Sequence, residues 1–256
     1  MAPAGGSDNK PDILYGLHAV REALRSGQRP LLRLLVLRTD RQFFDLVRLA
    51  RSSGVPVHVE PRPALDRLVP DGKHQGVVGV VAAKRYDSEE DILGYARDRG
   101  ESPFVVILDG IEDPHNLGAV LRTSEAAGVH GVFVPERRAA GLSATAAKAS
   151  AGALEYIRVG CAENVSRLLE RLQAEGLWVY GVDPAAEKPY TMLDLRGPVA
   201  LVFGNEGKGI RPAVLSKCDE RVKIPMQGHV ASLNVSVAAA VLLFEGVRQR
   251  SAQGAG

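Results

Sequence analysis

Cysteine is scarce in this chain. Cys161 and Cys218 are the only two among 256 residues. They lie far apart and outside any CxxC pair, so neither a disulfide framework nor a zinc-site spacing is available. No apolar run reaches the length of a membrane span, and the longest, from Val237 to Phe244, is far too short. The opening stretch MAPAGGSDNKPD lacks a basic segment followed by an apolar one, which argues against a secretory signal. None of the six histidines forms an HxxH or HxxxH pair, so no metal is expected. Both common phosphate-binding glycine patterns are missing. Lys208 is followed by Gly209 rather than Ser or Thr, and Pro212 stands where the last glycine of G-x-G-x-x-G belongs. A soluble, cytoplasmic protein with no membrane partner is the expectation.

What is present is a globular composition, 45% hydrophobic and 24% charged. The net charge of +2 is unevenly distributed. Residues 13–86 carry thirteen Lys or Arg against six Asp or Glu, a net of +7, and most of the cations are arginine. Residues 87–102 are acidic, and residues 103–256 balance. Arginine suits phosphate because its planar fork matches the oxyanion. Charge alone leaves a solvated basic surface equally open.

The chain divides into a tail (1–12), a small αβ unit (13–86), an acidic linker with one surface helix (87–102) and a larger domain (103–256). In the small unit, ILYGLHAVREALRSG predicts a short helix, LLRLLVL a strand, RQFFDLVRLARSSG a helix stopped at Gly54, and VPVHVE and GVVGVVAAK strands. From Phe104 onward strands and helices alternate. That pattern predicts an α/β domain with a mostly parallel sheet covered by helices on both faces. Ligands of such sheets bind where the loops follow the carboxyl ends of the strands.

Three loops stand out. In LDGIEDPHNLGAVLRTSEAAG, Asp113 suits a helix cap and Pro114 the first turn. Asn116 and Arg122 then lie six apart, which does not put them on one helical face. They meet at a site only if Asn116 belongs to the loop or two subunits contribute. In LVFGNEGKGI, glycines surround Glu206 and permit close backbone approach. In KIPMQGHVASLNVSVAAAVLLFE, Ser232 serves as a helix cap, but that leaves Asn234 inside an apolar run, where a buried amide needs partners.

Together, NLGAVLRTSEAAG, LVFGNEGKGI and IPMQGHVASLNVSVAAA, in this order, resemble the three motifs of the SpoU (TrmH) branch of the SPOUT RNA methyltransferases. YGLHAVREAL and DGKHQGVVGVVA resemble that branch's N-terminal RNA-binding domain. LDGIEDPHNLGAVLRTSEAAGVHGVFVP and LFEGVRQRS look most like the bacterial members that methylate a guanosine ribose of 23S ribosomal RNA. The resemblance implies a trefoil-knotted catalytic domain, a homodimer formed through it, and S-adenosyl-L-methionine as methyl donor. It implies that Gly204, Ile224 and Leu233 line the cofactor pocket. It also implies that Arg122, Asn116, Glu206, Ser232 and Asn234 are the polar catalytic residues. A tRNA 2′-O-methyltransferase of the same branch, a resistance-type ribosomal methyltransferase, and an RNA-binding protein without catalysis stay open as alternatives.

Overall fold

The computed structural model describes residues 11–70, 73–137 and 140–252. Most of the expected tail lies outside these residues. The chain forms two compact units, and they do not follow chain order. Among the described residues, the first runs up to Arg85 and takes in Leu142–Tyr156, and the second comprises Tyr86–Gly141 and the residues from Ile157.

The first unit contains β1 (Asp12–Tyr15), α1 (Leu17–Ser26), β2 (Leu31–Val36), α2 (Phe44–Ser52), β3 (Val57–Val59), α3 (Arg62–Leu68) and β4 (Val77–Val81). Its sheet has the order β1-β4-β2-β3, with β4 antiparallel to both β1 and β2, and β3 parallel to β2. The expected strands at β2, β3 and β4 and the helix closing near Gly54 are present. Gly54 has φ of 72°, the left-handed stop that glycine tolerates. The short β1 strand and α3 go beyond the expectation. Tyr15, Leu35, Leu65, Val69, Val78 and Val80 make one apolar cluster here.

The second unit begins with α4 (Glu89–Asp98), β5 (Phe104–Asp109), α5 (Pro114–Ala126) and β6 (Gly131–Pro135). The chain then contributes α6 (Ala144–Ala149) to the first unit and returns as β7 (Val159–Ala162), α7 (Val165–Ala174), β8 (Trp178–Val182), β9 (Lys188–Pro189), β10 (Val199–Gly204), α8 (Pro212–Leu215), β11 (Glu220–Lys223) and α9 (Val235–Ser251). Among the described residues the seven strands run β7-β6-β5-β10-β8-β11-β9, all parallel, as the alternation predicted. Their carboxyl ends therefore share one edge of the sheet.

Residues 87–102 hold the expected surface helix, with Glu90, Asp91, Arg97 and Asp98 exposed, and its inner face joins the second unit. Ser88 and Asp91 close a capping box at the start of α4, and Ile92, Leu93 and Ala96 are buried. Ile92 and Leu93 join the main core with Val105, Ile107, Phe133 and Leu169. The reason lies in two glycines. A Cβ on Gly131 or Gly160 would come within 2.5 Å or 3.2 Å of Ile92, so their bare backbones make the slot that Ile92 fills.

Candidate active site

The loops after β5 and β10 and the start of α9 converge at the carboxyl edge of the parallel sheet. Gly204 ends β10, and the chain folds back on it tightly. Asn205 and Gly209 exchange two backbone hydrogen bonds of 3.1 and 2.7 Å. A Cβ on Gly204 would lie 2.1 Å from backbone atoms of Gly209 and Ile210, so no other residue fits there. Asn205 holds the loop from two sides, donating to the Gly110 carbonyl at 2.9 Å and accepting from the Gly207 N–H at 3.0 Å. Farther along, Arg211 clasps the fully buried Asp109 carboxylate through its backbone N–H, Nε and Nη2 at 2.8, 2.8 and 2.5 Å. The returning loop is thereby tied to the end of β5.

This scaffold presents Glu206 to two amides. Asn116 Nδ2 donates to Glu206 Oε1 at 2.5 Å, and Asn234 Nδ2 donates to the same oxygen at 2.6 Å and to Asn116 Oδ1 at 3.1 Å. The orientation of Asn234 is fixed from its other side. Its Oδ1 accepts from the Ser236 backbone N–H at 2.9 Å and from the Ser236 hydroxyl at 2.6 Å. Asn234, not Ser232, is thus the cap of α9, and it is exposed rather than buried. The helix starts two residues later than expected, and one amide both caps it and faces the carboxylate.

A cavity of about 350 Å³ opens beside the trio, beyond the carboxyl ends of β8, β10 and β11. Gly204, Ile224 and Leu233 all line it, as do Glu206 and Ser232. Asp183 and Met226 line it as well and were not anticipated. Asp183 was findable, since it directly follows a strand whose end faces this edge. The apolar wall with a few polar groups has the character of a small-molecule site.

Arg122 is not part of this cluster. It lies exposed on α5, does not line the cavity, and makes no hydrogen bond or ion pair among the described residues. Asn116 sits inside the first turn of the same helix rather than in the loop, so the six-residue separation keeps the two on different faces. Ser232 reaches the cavity wall without a hydrogen-bond partner among the described residues.

Comparison with known proteins places the chain in a family. Residues 103–244 match the model of the SpoU rRNA Methylase family, and residues 13–87 match that described as RNA 2'-O ribose methyltransferase substrate binding. The chain belongs to the SpoU rRNA methylase family. It is 43% identical over 244 residues to the putative TrmH family tRNA/rRNA methyltransferase YacO of Bacillus subtilis, covering 95% of this chain and 98% of that one. It is 40% identical over 242 residues to the 23S rRNA (guanosine-2'-O-)-methyltransferase RlmB of Escherichia coli K12, covering 94% and 99%. Among solved structures it is similar to the SpoU methyltransferase AviRb from Streptomyces viridochromogenes in complex with AdoMet. The TM-score is 0.80 with 25% identity, over 94% of this chain and 91% of that one.

Proposed function

We propose that this protein methylates the ribose 2′-hydroxyl of a guanosine in 23S ribosomal RNA, with S-adenosyl-L-methionine as donor, in the cytoplasm. The observation that carries the reading is the Asn116–Glu206–Asn234 cluster on the rim of the cavity built by Gly204, Ile224 and Leu233. The relatives named for 23S guanosine 2′-O-methylation, matched along nearly their whole length, favour ribosomal RNA over tRNA.

S-adenosyl-L-methionine supplies a methyl group on a sulfonium, an electrophile that needs no further activation. Gly204, Ile224 and Leu233 would hold it, and the Asp183 carboxylate on the same cavity wall would offer it a hydrogen-bond acceptor. Glu206, anchored through Oε1 by two amides, keeps Oε2 available to accept a hydroxyl or amine hydrogen from a bound group. A ribose hydroxyl is a weak nucleophile, so its developing negative charge must be stabilised. Arg122 carries that role as a permanent cation. Its guanidinium does not deprotonate in proteins, so an RNA phosphate or solvent takes the proton.

Arg122 faces away from Asn116 on its own helix, and a homodimer supplies the second half. α9 buries Val235, Ala239, Leu242, Leu243 and Gly246 within its own unit, yet leaves Val237 and Phe244, seven residues apart on one face, about half exposed at 48% and 50%. A partner copy on that face would complete the site with its own arginine. The trefoil knot implied by the resemblance belongs to the same reading.

The test is genetic. A strain lacking the gene should lose one 2′-O-methylguanosine from 23S ribosomal RNA, and the wild-type gene, but not Arg122→Ala, should restore it. An unchanged ribosomal RNA with a lost tRNA methyl group would transfer the assignment to tRNA.

A further inference from the structure

The first unit carries a feature that the active site does not use. Arg21 and Arg25 stand four apart on α1, and Arg48 and Ser52 stand four apart on α2, so each pair shares one helical face. The opposite faces are spent on the core, through Ala19, Val20, Ala23 and Leu24 of α1 and Leu46, Val47 and Ala50 of α2. The outward faces border an open groove of about 510 Å³ lined by the three arginines with Asp45, Leu49 and Ser52.

None of the three guanidiniums is strongly engaged by the protein. Arg21 has no hydrogen bond or ion pair among the described residues. Arg25 meets Glu22 at 3.1 Å with its side chain 58% exposed, and Arg48 meets Asp45 at 3.3 Å with both side chains more than 70% exposed. Solvated pairs of this kind are weak and easily exchanged for a better anion. Asp45 is the one acidic residue in the lining, and it is turned to Arg48.

We propose that this groove between α1 and α2 is a phosphate-binding track for the backbone of the substrate RNA. Three arginine forks on two helices offer bidentate sites to successive phosphates. The groove is open to solvent, so a polymer backbone has access to it. It also lies in the segment that holds the chain's excess of positive charge. The proposal rests on reading this unit as the RNA-binding one and adds where on its surface the backbone runs.

The experiment measures the dissociation constant of the full-length protein for a 23S ribosomal RNA fragment across a salt series. R21A/R25A/R48A should bind roughly tenfold more weakly at physiological salt and flatten the log Kd against log salt slope by about two, near 0.7 per phosphate lost. R21A alone breaks no internal contact and should flatten it by about 0.7. R33A/R62A/R67A removes the same charge from other elements of the unit and should change the slope far less. If the two triple variants flatten the slope equally, or the groove variant leaves it unchanged while wild type binds, the groove is not the track. If wild type itself shows no salt-dependent RNA binding, the reading of the whole unit falls with it.

Discussion

At Gly204 the chain has no choice, because any side chain would overlap the backbone that returns at Gly209 and Ile210. Gly204→Ala should therefore lose S-adenosylmethionine binding by at least roughly tenfold in calorimetry, since backbone cannot move aside as a side-chain tip can. Near-normal affinity would mean the cavity is not the cofactor site. Asn234 allows a cleaner separation. Asn234→Asp keeps an oxygen to cap α9, so stability should stay close to wild type. It also places a second carboxylate against Glu206, so methyl transfer should fall roughly tenfold or more. Asn234→Ala should lose both activity and about 1 kcal/mol of stability measured by urea unfolding. These roles were only partly legible. The motif order marked Asn116, Glu206 and Asn234 as polar site residues, but a sequence does not show where a helix begins. Asn234 therefore read as a buried amide rather than an exposed cap with two duties.

Elements were easier to read than their surroundings. Strand–helix alternation identified the parallel sheet, because buried strands such as FVVILD and VALVFG are continuous apolar runs. β7, with the sequence VGCA, carries too little apolar signal to stand out. The core contact of the surface helix α4 is hidden for a related reason: the slot for Ile92 is made by Gly131 and Gly160, about forty and seventy residues away. Ile92→Ala should cost about 2–5 kcal/mol in chemical denaturation, the loss for a buried aliphatic side chain, whereas a linker residue would cost almost nothing. The start of β5 gives a pH test. The Phe104 N–H donates to His130 Nδ1 at 3.0 Å, which leaves Nε2–H to donate to Glu101 at 3.0 Å. Burial holds the His130 pKa below its ordinary value despite Glu101. The unfolded chain therefore takes up this proton first, and stability should fall as pH drops below about 6.5 toward the lowered folded value. His130→Gln should show a shallower loss of melting temperature over that window. An unchanged slope would mean His130 does not titrate between the two states.

On the scale of the whole molecule, the excess of positive charge was visible from sequence, whereas the return of Leu142–Tyr156 to the first unit was not. That excursion is a long-range packing choice with no local signature. Assembly is where Arg122 must be decided. If the partner supplies it, Arg122→Ala and Glu206→Ala are each inactive alone, but mixing them should restore up to about a quarter of wild-type activity, because half the random dimers then hold one intact site. Mixtures that stay inactive would put Arg122 and Glu206 in the same chain's site. The reaction is defined by which atom receives the methyl group. The direct measurement is transfer from methyl-tritiated S-adenosylmethionine to a 23S ribosomal RNA fragment, followed by nuclease digestion to nucleosides and repeated with the target guanosine replaced by its 2′-deoxy form. Label should appear as 2′-O-methylguanosine and vanish with the deoxy substitution. Label on a base, or label that persists without the 2′-hydroxyl, would contradict transfer to the ribose.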